Sequence, residues 1–360
     1  MTDRKYGLGI DISKDFFHVR LLAQPADGGR PKVRGSHKFK NQIPGFEELL
    51  VWIDKRVEEG VELAMAMEAT GVYHEGLAYF LHDRRPGVSV LLPNKVKAFG
   101  RSLNQHSKND RIDAGLLGRM ALERQLPVWE PMSPKLLELR HLNRDRAALI
   151  KDRQARRNRL HALRHGAVEV PDSEERHVAA IAFLDGQIAE VTARIKALCR
   201  KEAELREATR RLRSVPQVGA LTAAAVLGET GGFALFDTRE QLIKYAGLDI
   251  IERQSGSSVL GPTCISKRGN ARLRGGVHMS AVGVIKYPGV FRDVYLRVYG
   301  RTRCKMKAIV AVQRKLLVVM FAMVKNGQDY DESVHRLRAE VPDPGLEQVA
   351  EPAGAEPVPA

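Results

Sequence analysis

Two hydrophobic periods alternate along the first 126 residues. YGLGIDI (6–12) is an almost unbroken apolar run and predicts a buried strand. DFFHVRLLA (15–23) alternates Phe17, Val19 and Leu21, the mark of a half-buried strand. The turn-rich QPADGGRPK leads to a third strand, VRGSHKF. In IPGFEELLVWIDKRVEE the period changes, and Phe46, Leu49, Leu50 and Ile53 share one helical face. VELAMAME predicts a fourth strand, YHEGLAYFLHDRR a helix, GVSVLLP a fifth strand and KNDRIDAGLLGRMALERQ a helix. The order β-β-β-α-β-α-β-α is that of an α/β fold of the ribonuclease H type, assigned to residues 1–126.

PVWEPMSP (127–134) opens a connector, and residues 127–213 then turn helical, charged and poor in glycine. Val178, Ile181, Leu184, Ile188, Val191, Ile195, Leu198, Leu205 and Leu212 follow steps of three, four and seven, which predicts a coiled-coil seam. RDRAALIKDRQARRNRLHALRH is a helix with arginine almost all round, and GAVEVPDSEER is the expected turn of an antiparallel hairpin. Arg153 and Arg157 stand there as candidate phosphate contacts, with a solvated helix face as the alternative. Residues 214–335 form a third, mainly helical unit. VPQVGALTAAAVLGETG has the shape of a helix-hairpin-helix element, whose turn at Gly219 aims backbone N–H groups at a phosphate. Plain helix packing is the alternative. KMKAIVAVQRKLLVVMFAMVKNG is a last long helix, and the Pro/Ala/Glu-rich residues 340–360 are expected to be disordered.

Charge narrows the class of partner. The net charge is +15, although the last twenty residues hold four acids and no Lys or Arg. A basic body of this kind points to a nucleic acid. The three cysteines have no metal spacing and suit a reduced cytosolic compartment. The N-terminus has no signal-peptide pattern, and the longest apolar run, Leu316–Val324, is too short to span a bilayer. A soluble intracellular protein with no membrane partner is expected.

Four acids stand out by placement. Asp11 sits inside an apolar strand, where an ionised carboxylate is costly unless paired or bound to metal. Glu68 closes another apolar strand. Asp110 and Asp113 are three apart at a helix start, with β-carbons about 5–6 Å apart on one face. Leu116, Leu117 and Met120 turn the Asp113 face inward. Hard oxygen ligands without cysteine or histidine favour Mg²⁺ or Mn²⁺. Two ions about 3.5–4 Å apart could stabilise the attacking and leaving oxygens of a phosphodiester. Each acid also has a plainer role. Asp11 could cap a turn, and the aspartate pair could favour a helix N-terminus capped by Ser107 in an S-x-x-D box.

GIDISK, MEATGVY, LLPNKVKAF, KNDRIDA, SVPQVG, YAGL, SGSSVLG and SKRGNARLR, in this order over residues 6 to 330, resemble the motifs of one group of insertion-sequence transposases. This is the "one-ten" family, also called bridge-RNA-guided recombinases, to which the pilin-gene invertases are related. The resemblance implies a RuvC-like DEDD domain, a coiled-coil linker and a C-terminal transposase domain. It implies a metal-holding tetrad of Asp11, Glu68, Asp110 and Asp113 and a nucleophile at Ser255, which would form a covalent phosphoserine link to DNA. It further implies target and donor DNA, a structured element-encoded (bridge) RNA, and dimers pairing into tetramers, in a bacterial cytosol at the nucleoid. Two departures matter. Gln217 replaces a glycine of the usual I-P-G-I-G loop, and Leu260 stands where an arginine is common.

The chemistry around Ser255 is compatible with that role. A serine hydroxyl needs activation by a base or metal, and no histidine lies close in sequence. Gly256 permits close backbone approach to a phosphate. Arg253, Lys267, Arg268, Arg272 and Arg274 flank the segment and could hold a phosphate or strand. Read locally, RQSGSSVLG is a flexible turn, and Ser257 and Ser258 keep that reading. Tyr73 is a rival nucleophile but reads better as an aromatic packing at a helix start. Two other classes compete: a Holliday-junction-type nuclease acting by water attack, and a non-catalytic nucleic-acid-binding protein.

Overall fold

The computed structural model describes residues 3–104, 109–251, 254–255, 259–260 and 264–334. The chain divides into two compact units, residues 1–131 and 132–360.

The first unit is built on one five-stranded sheet. Strands β1 (Asp3–Ile12), β2 (Phe16–Pro25) and β3 (Lys32–Lys40) form an antiparallel meander. Helix α1 (Ile43–Asp54) leads to β4 (Glu62–Glu68), and α2 (Glu75–Arg84) leads to β5 (Val88–Leu91). Both β4 and β5 are parallel additions, so the order is β3-β2-β1-β4-β5. Helices α3 (Pro93–Ser102) and α4 (Asp110–Glu123) complete the unit. This mixed sheet with its helices is the ribonuclease H-like arrangement expected from the strand pattern.

Period-two alternation sorts β1 between two apolar layers. Tyr6, Leu8, Ile10 and Ile12 pack with Phe46, Leu49, Trp52, Leu77 and Leu81 from α1 and α2. Gly7, Gly9 and Asp11 face the opposite way, towards α4. A Cβ on Gly9 would lie 1.8 Å from the Ala114 carbonyl oxygen and 2.3 Å from the Gly118 nitrogen. One on Gly7 would lie 2.4 Å from the Gly118 carbonyl oxygen. The backbones of α4 and β1 are therefore in contact, and the matching order fixes their directions as opposed.

The second unit is mainly helical. Helices α5 (Pro134–Arg164) and α6 (Pro171–Lys201) form an antiparallel hairpin. Pairs Arg164–Glu174, Arg153–Asp185 and Arg146–Thr192 mark its register. The expected turn at GAVEVPDSEER is shorter than that stretch, because Pro171 already opens α6. The expected seam is also shorter. Ile188, Ile195 and Leu198 are buried, whereas Val178 is 45% exposed. At Glu202 the chain leaves α6 and starts α7 (Ala203–Arg213), so Leu205 and Leu212 belong to another helix. They pack in the main core of the unit.

That core also takes in α8 (Ala220–Thr230) and α9 (Arg239–Ala246). Four two-residue strands follow: β6 (Ile250–Ile251), β7 (Gln254–Ser255), β8 (Val259–Leu260) and β9 (Cys264–Ile265). Strand β6 pairs with β9, and β7 pairs with β8. Helices α10 (Ala271–Val284), α11 (Val290–Thr302) and α12 (Lys305–Asn326) close the fold. The sequence pattern had suggested α12 but not α11. The tail beyond 340, expected to be disordered, lies outside the described residues.

Candidate functional site

In the first unit the sheet carries the candidate carboxylates. On β4, Met65 and Met67 enter the core shared with α1 and α2, while Ala66 packs in the layer with α3 and α4. Glu68 continues the Ala66 side. The parallel register runs Gly9↔Ala66, Ile10↔Met67, so Asp11 and Glu68 come next, side by side on the face towards α4. Adjacent strands put such neighbours about 5 Å apart.

Helix α4 supplies the other pair. Its N-cap is Asn109, whose side chain accepts from Ile112 N at 2.9 Å. This corrects the S-x-x-D expectation, and Ser107 lies outside the described residues. Asp110 and Asp113 occupy the first turn, where the helix dipole favours negative charge. Because Ala114 stacks on Gly9 and the two elements run in opposite directions, Asp110 lies one helical turn further along, at the Asp11 level of the sheet. His18 marks that junction. It is the register partner of Asp11, and its Nδ1 stands 3.2 Å from Asp110 Oδ2. Burial lowers its pKa, with Lys38 and Arg111 adding to the effect and Asp110 opposing it. Arg20, next but one on β2, donates from Nη1 to Arg111 O at 3.3 Å and braces the same turn.

Asp11, Glu68, Asp110 and Asp113 are thus carried by elements that meet at one end of one sheet face. Among the described residues, no three His, Cys, Asp or Glu side chains are grouped closely enough to hold a metal ion. The donor set is all carboxylate, which suits a hard divalent cation. A closed cage would need side-chain rearrangement, with the His18–Asp110 contact in its path.

Asn41 was missed by sequence reasoning. Its side-chain amide donates to Ser13 O at 3.0 Å and to Tyr73 O at 3.0 Å. It ties the turn after Asp11 to the loop after Glu68. Tyr73 itself is 43% exposed and precedes α2. Its backbone carbonyl makes the tie to Asn41. A lone asparagine after a strand carries no sequence signal for this bridge.

In the second unit, Ser255 ends β7 and pairs with Val259 of β8. The hairpin they form is an excursion between β6 and β9. Arg253 and Gly256 lie outside the described residues. Lys267, Arg268 and Arg272 are exposed and make no ion pair among the described residues. Arg274 is half-buried and donates from Nη1 to Ala246 O at 2.7 Å, a structural bond. Arg153 pairs with Asp185 at 2.5 Å and Arg157 approaches the same carboxylate at 3.6 Å.

Gln217 lies in the turn between α7 and α8. That residue adopts φ 64, the left-handed region where the related loops have glycine. Its side chain lies against Gly283 of α10. Gly219 has an ordinary φ of −78 and serves as N-cap of α8. Nothing lies within 4 Å of where its Cβ would be, so the backbone there is open to approach.

Residues 8–166 match the model of a DEDD transposase domain of IS110 elements, described as "Transposase". Residues 209–296 match that of the transposase IS116/IS110/IS902 family. Together they take in more than half of the chain. A pilin gene-inverting protein of Moraxella bovis is 29% identical over 331 residues, spanning 91% of this chain and 98% of that protein. A transposase for insertion sequence element IS1111A of Coxiella burnetii is 24% identical over 351 residues, spanning 90% of each. The DEDD domain implies dependence on a divalent metal, and recombination implies DNA as substrate. Among the described residues no helix is long and apolar enough to cross a membrane. A sheet-borne carboxylate set at one end of the chain and a serine hairpin at the other sit inside two matched domains of one enzyme class, and the chain belongs to the IS110 family of DNA transposases and recombinases.

Proposed function

We propose that the chain is an RNA-guided transposase that cuts and rejoins DNA through a covalent phosphoserine intermediate. The observation that carries this reading is the convergence of Asp11, Glu68 and the Asp110–Asp113 turn at one end of one sheet face. These four would hold Mg²⁺ or Mn²⁺, as two ions. When bound, the metal offsets charge on the phosphodiester and on the exchanging oxygens.

The chain's own residues account for the remaining chemistry. Lys267, Arg268, Arg272 and Arg253 hold the phosphate through charge-assisted hydrogen bonds. Ser255 Oγ attacks phosphorus. A P–O bond to the serine forms as the bond to one deoxyribose oxygen breaks, and that oxygen leaves with a proton. The ester conserves the bond energy. A DNA hydroxyl then attacks the phosphoserine, and the serine leaves and regains its proton. Similarity to a gene-inverting protein supports rejoining rather than cutting alone. The open turn at Gly219, before the α8 N-terminus, suits a phosphate contact without sequence reading. Arg153 and Arg157 reach a phosphate by exchanging Asp185 for it.

Sequence choice is assigned to a structured RNA encoded by the element, paired with target and donor DNA. Two dimers join as a tetramer in which one protomer's serine completes another's carboxylate site. The enzyme acts in the bacterial cytosol at the nucleoid.

Ser255→Ala tests the core of this reading. The expected result is loss of strand exchange and of the protein–DNA adduct, with DNA binding retained. Recombination surviving in that variant would return the carboxylates to water-activating nuclease chemistry. Sequencing of nucleic acid co-purified from the native host should recover one discrete element-encoded RNA. A preparation without it counts against RNA guidance.

A further inference from the structure

The excursion that bears Ser255 leaves and rejoins the second unit through a closed base. Ser266 N donates to Asp249 O at 2.8 Å, and Lys267 N donates to Gly247 O at 3.1 Å. The Ser266 hydroxyl also donates to Asp249 Oδ1. Asn270 N donates to Tyr245 O at 2.6 Å, and Arg274 closes on Ala246 O. The two sides are in backbone contact. A Cβ on Gly269 would lie 2.4 Å from Tyr245 O and 2.6 Å from Gly247 N.

Behind this base lies a carboxylate that the strand-exchange chemistry does not use. Glu229, near the end of α8, is 2% exposed. Arg144 of α5 holds it in a fork, Nε to Oε1 and Nη2 to Oε2, each at 2.8 Å. Asn270 Nδ2 donates to Oε2 at 2.7 Å and to the Tyr245 hydroxyl at 3.1 Å. That hydroxyl donates to Glu229 O at 3.0 Å. Asn270 also caps α10, accepting from Leu273 N at 3.0 Å. Helices α5 and α8 are locked at this crossing. A Cβ on Gly228 would lie 3.0 Å from Arg140 Cα, and Asn143 Nδ2 donates to Ala224 O at 3.1 Å.

A buried ion pair of this kind is a weak source of net stability compared with apolar packing of the same volume. What it supplies is geometry: a rigid fork and an amide that each accept only one arrangement. We propose that Glu229 is a positioning residue for strand exchange, which through Asn270 and Tyr245 fixes the base of the 250–265 excursion to helix α5. The proposal rests on the reading of Ser255 as nucleophile.

Asn270→Ser is the decisive variant, made in the full chain. Serine still caps α10 but is too short to reach Glu229 and Tyr245. Three quantities are measured: DNA affinity, the rate of adduct formation at saturating DNA, and amide hydrogen exchange over residues 245–274. The expected result is an adduct rate lower by roughly tenfold to a hundredfold. DNA affinity should stay the same, and exchange should be faster around 247–268 but not in α5. Glu229→Gln should reproduce the rate loss. If it does not fold, Asn270→Ser carries the test alone. An unchanged rate, or unchanged exchange, in Asn270→Ser overturns the proposal. Should Ser255→Ala retain recombination, the nucleophile reading fails by itself, and hydrogen exchange still decides whether the network fixes the excursion.

Discussion

The two halves of the chemistry are supported in opposite ways. The carboxylates stand on long elements, at the ends of β1 and β4 and in the first turn of a 14-residue helix. Their positions follow from a helix backbone pressed onto two glycines. Among the described residues, Ser255 stands on a two-residue strand paired with another of two residues. The segment that carries it is closed at its base by hydrogen bonds between residues 245–249 and 266–270, with a buried carboxylate further in. In the proposed reading, a site that binds metal gains from rigid elements, whereas a nucleophile that meets a strand gains from a short segment on a fixed base.

The largest effects separate chemistry from support. Asp11→Ala should reduce strand exchange to background while leaving the unfolding midpoint in place, since a carboxylate contributes little apolar packing. A non-catalytic binder would lose nothing functional in the same assay. Arg144→Ala strikes a support instead. It leaves Glu229 buried and unpaired, and chemical denaturation should show a loss of about 3–5 kcal/mol. Gly9→Ala strikes the other support. The new methyl meets helix backbone rather than a flexible side chain, so α4 must lift, at a cost of about 1–3 kcal/mol or more in the first unit. If Gly9→Ala left stability unchanged, the contrast between the two supports would collapse.

A smaller effect should appear with pH. Burial raises the pKa of Glu229, but the hydrogen bonds from Arg144 and Asn270 and the charges of Arg144 and Arg140 outweigh it. The folded value therefore lies below the ordinary 4.5. The group's contribution is complete above that pH and is lost as pH falls through the folded value. Thermal unfolding followed downward from pH 6 should steepen below 4.5 in the natural chain, and Glu229→Gln should flatten that limb. The smallest effect is expected at Gln217→Gly. Relief of left-handed strain, about 1 kcal/mol, is partly offset by the greater chain entropy of glycine. The midpoint should rise slightly, and DNA affinity should be unchanged.

The first unit was largely legible because strand alternation is a local code. The apolar run at residues 6–12 and the alternation of Phe17, Val19 and Leu21 announce β1 and β2 before any contact is known. The seam beyond α6 was misread for a related reason. Leu198, Leu205 and Leu212 keep the step of seven across the break at Glu202, and no glycine or proline marks it. Arg153 and Arg157 looked available because Asp185 lies on the other arm of the hairpin. The Arg144–Glu229–Asn270 network was invisible for the same cause. Its members sit 85 and 41 positions apart, and each alone is an ordinary polar residue in a helix or cap. His18 was hidden by its strand, where it occupies a polar slot in a normal alternation.

The closed base between Asp249 and Ser266 also bears on how such proteins diversify. A loop whose ends are already held together pays only a slowly growing entropy for extra length, about 0.6 kcal/mol per doubling. Residues around Ser255 between β6 and β9 can therefore be lengthened, shortened or rewritten while the surrounding helices keep their packing. The hairpin is a replaceable cartridge, and the selection that shapes it can proceed largely apart from the selection that keeps the unit folded.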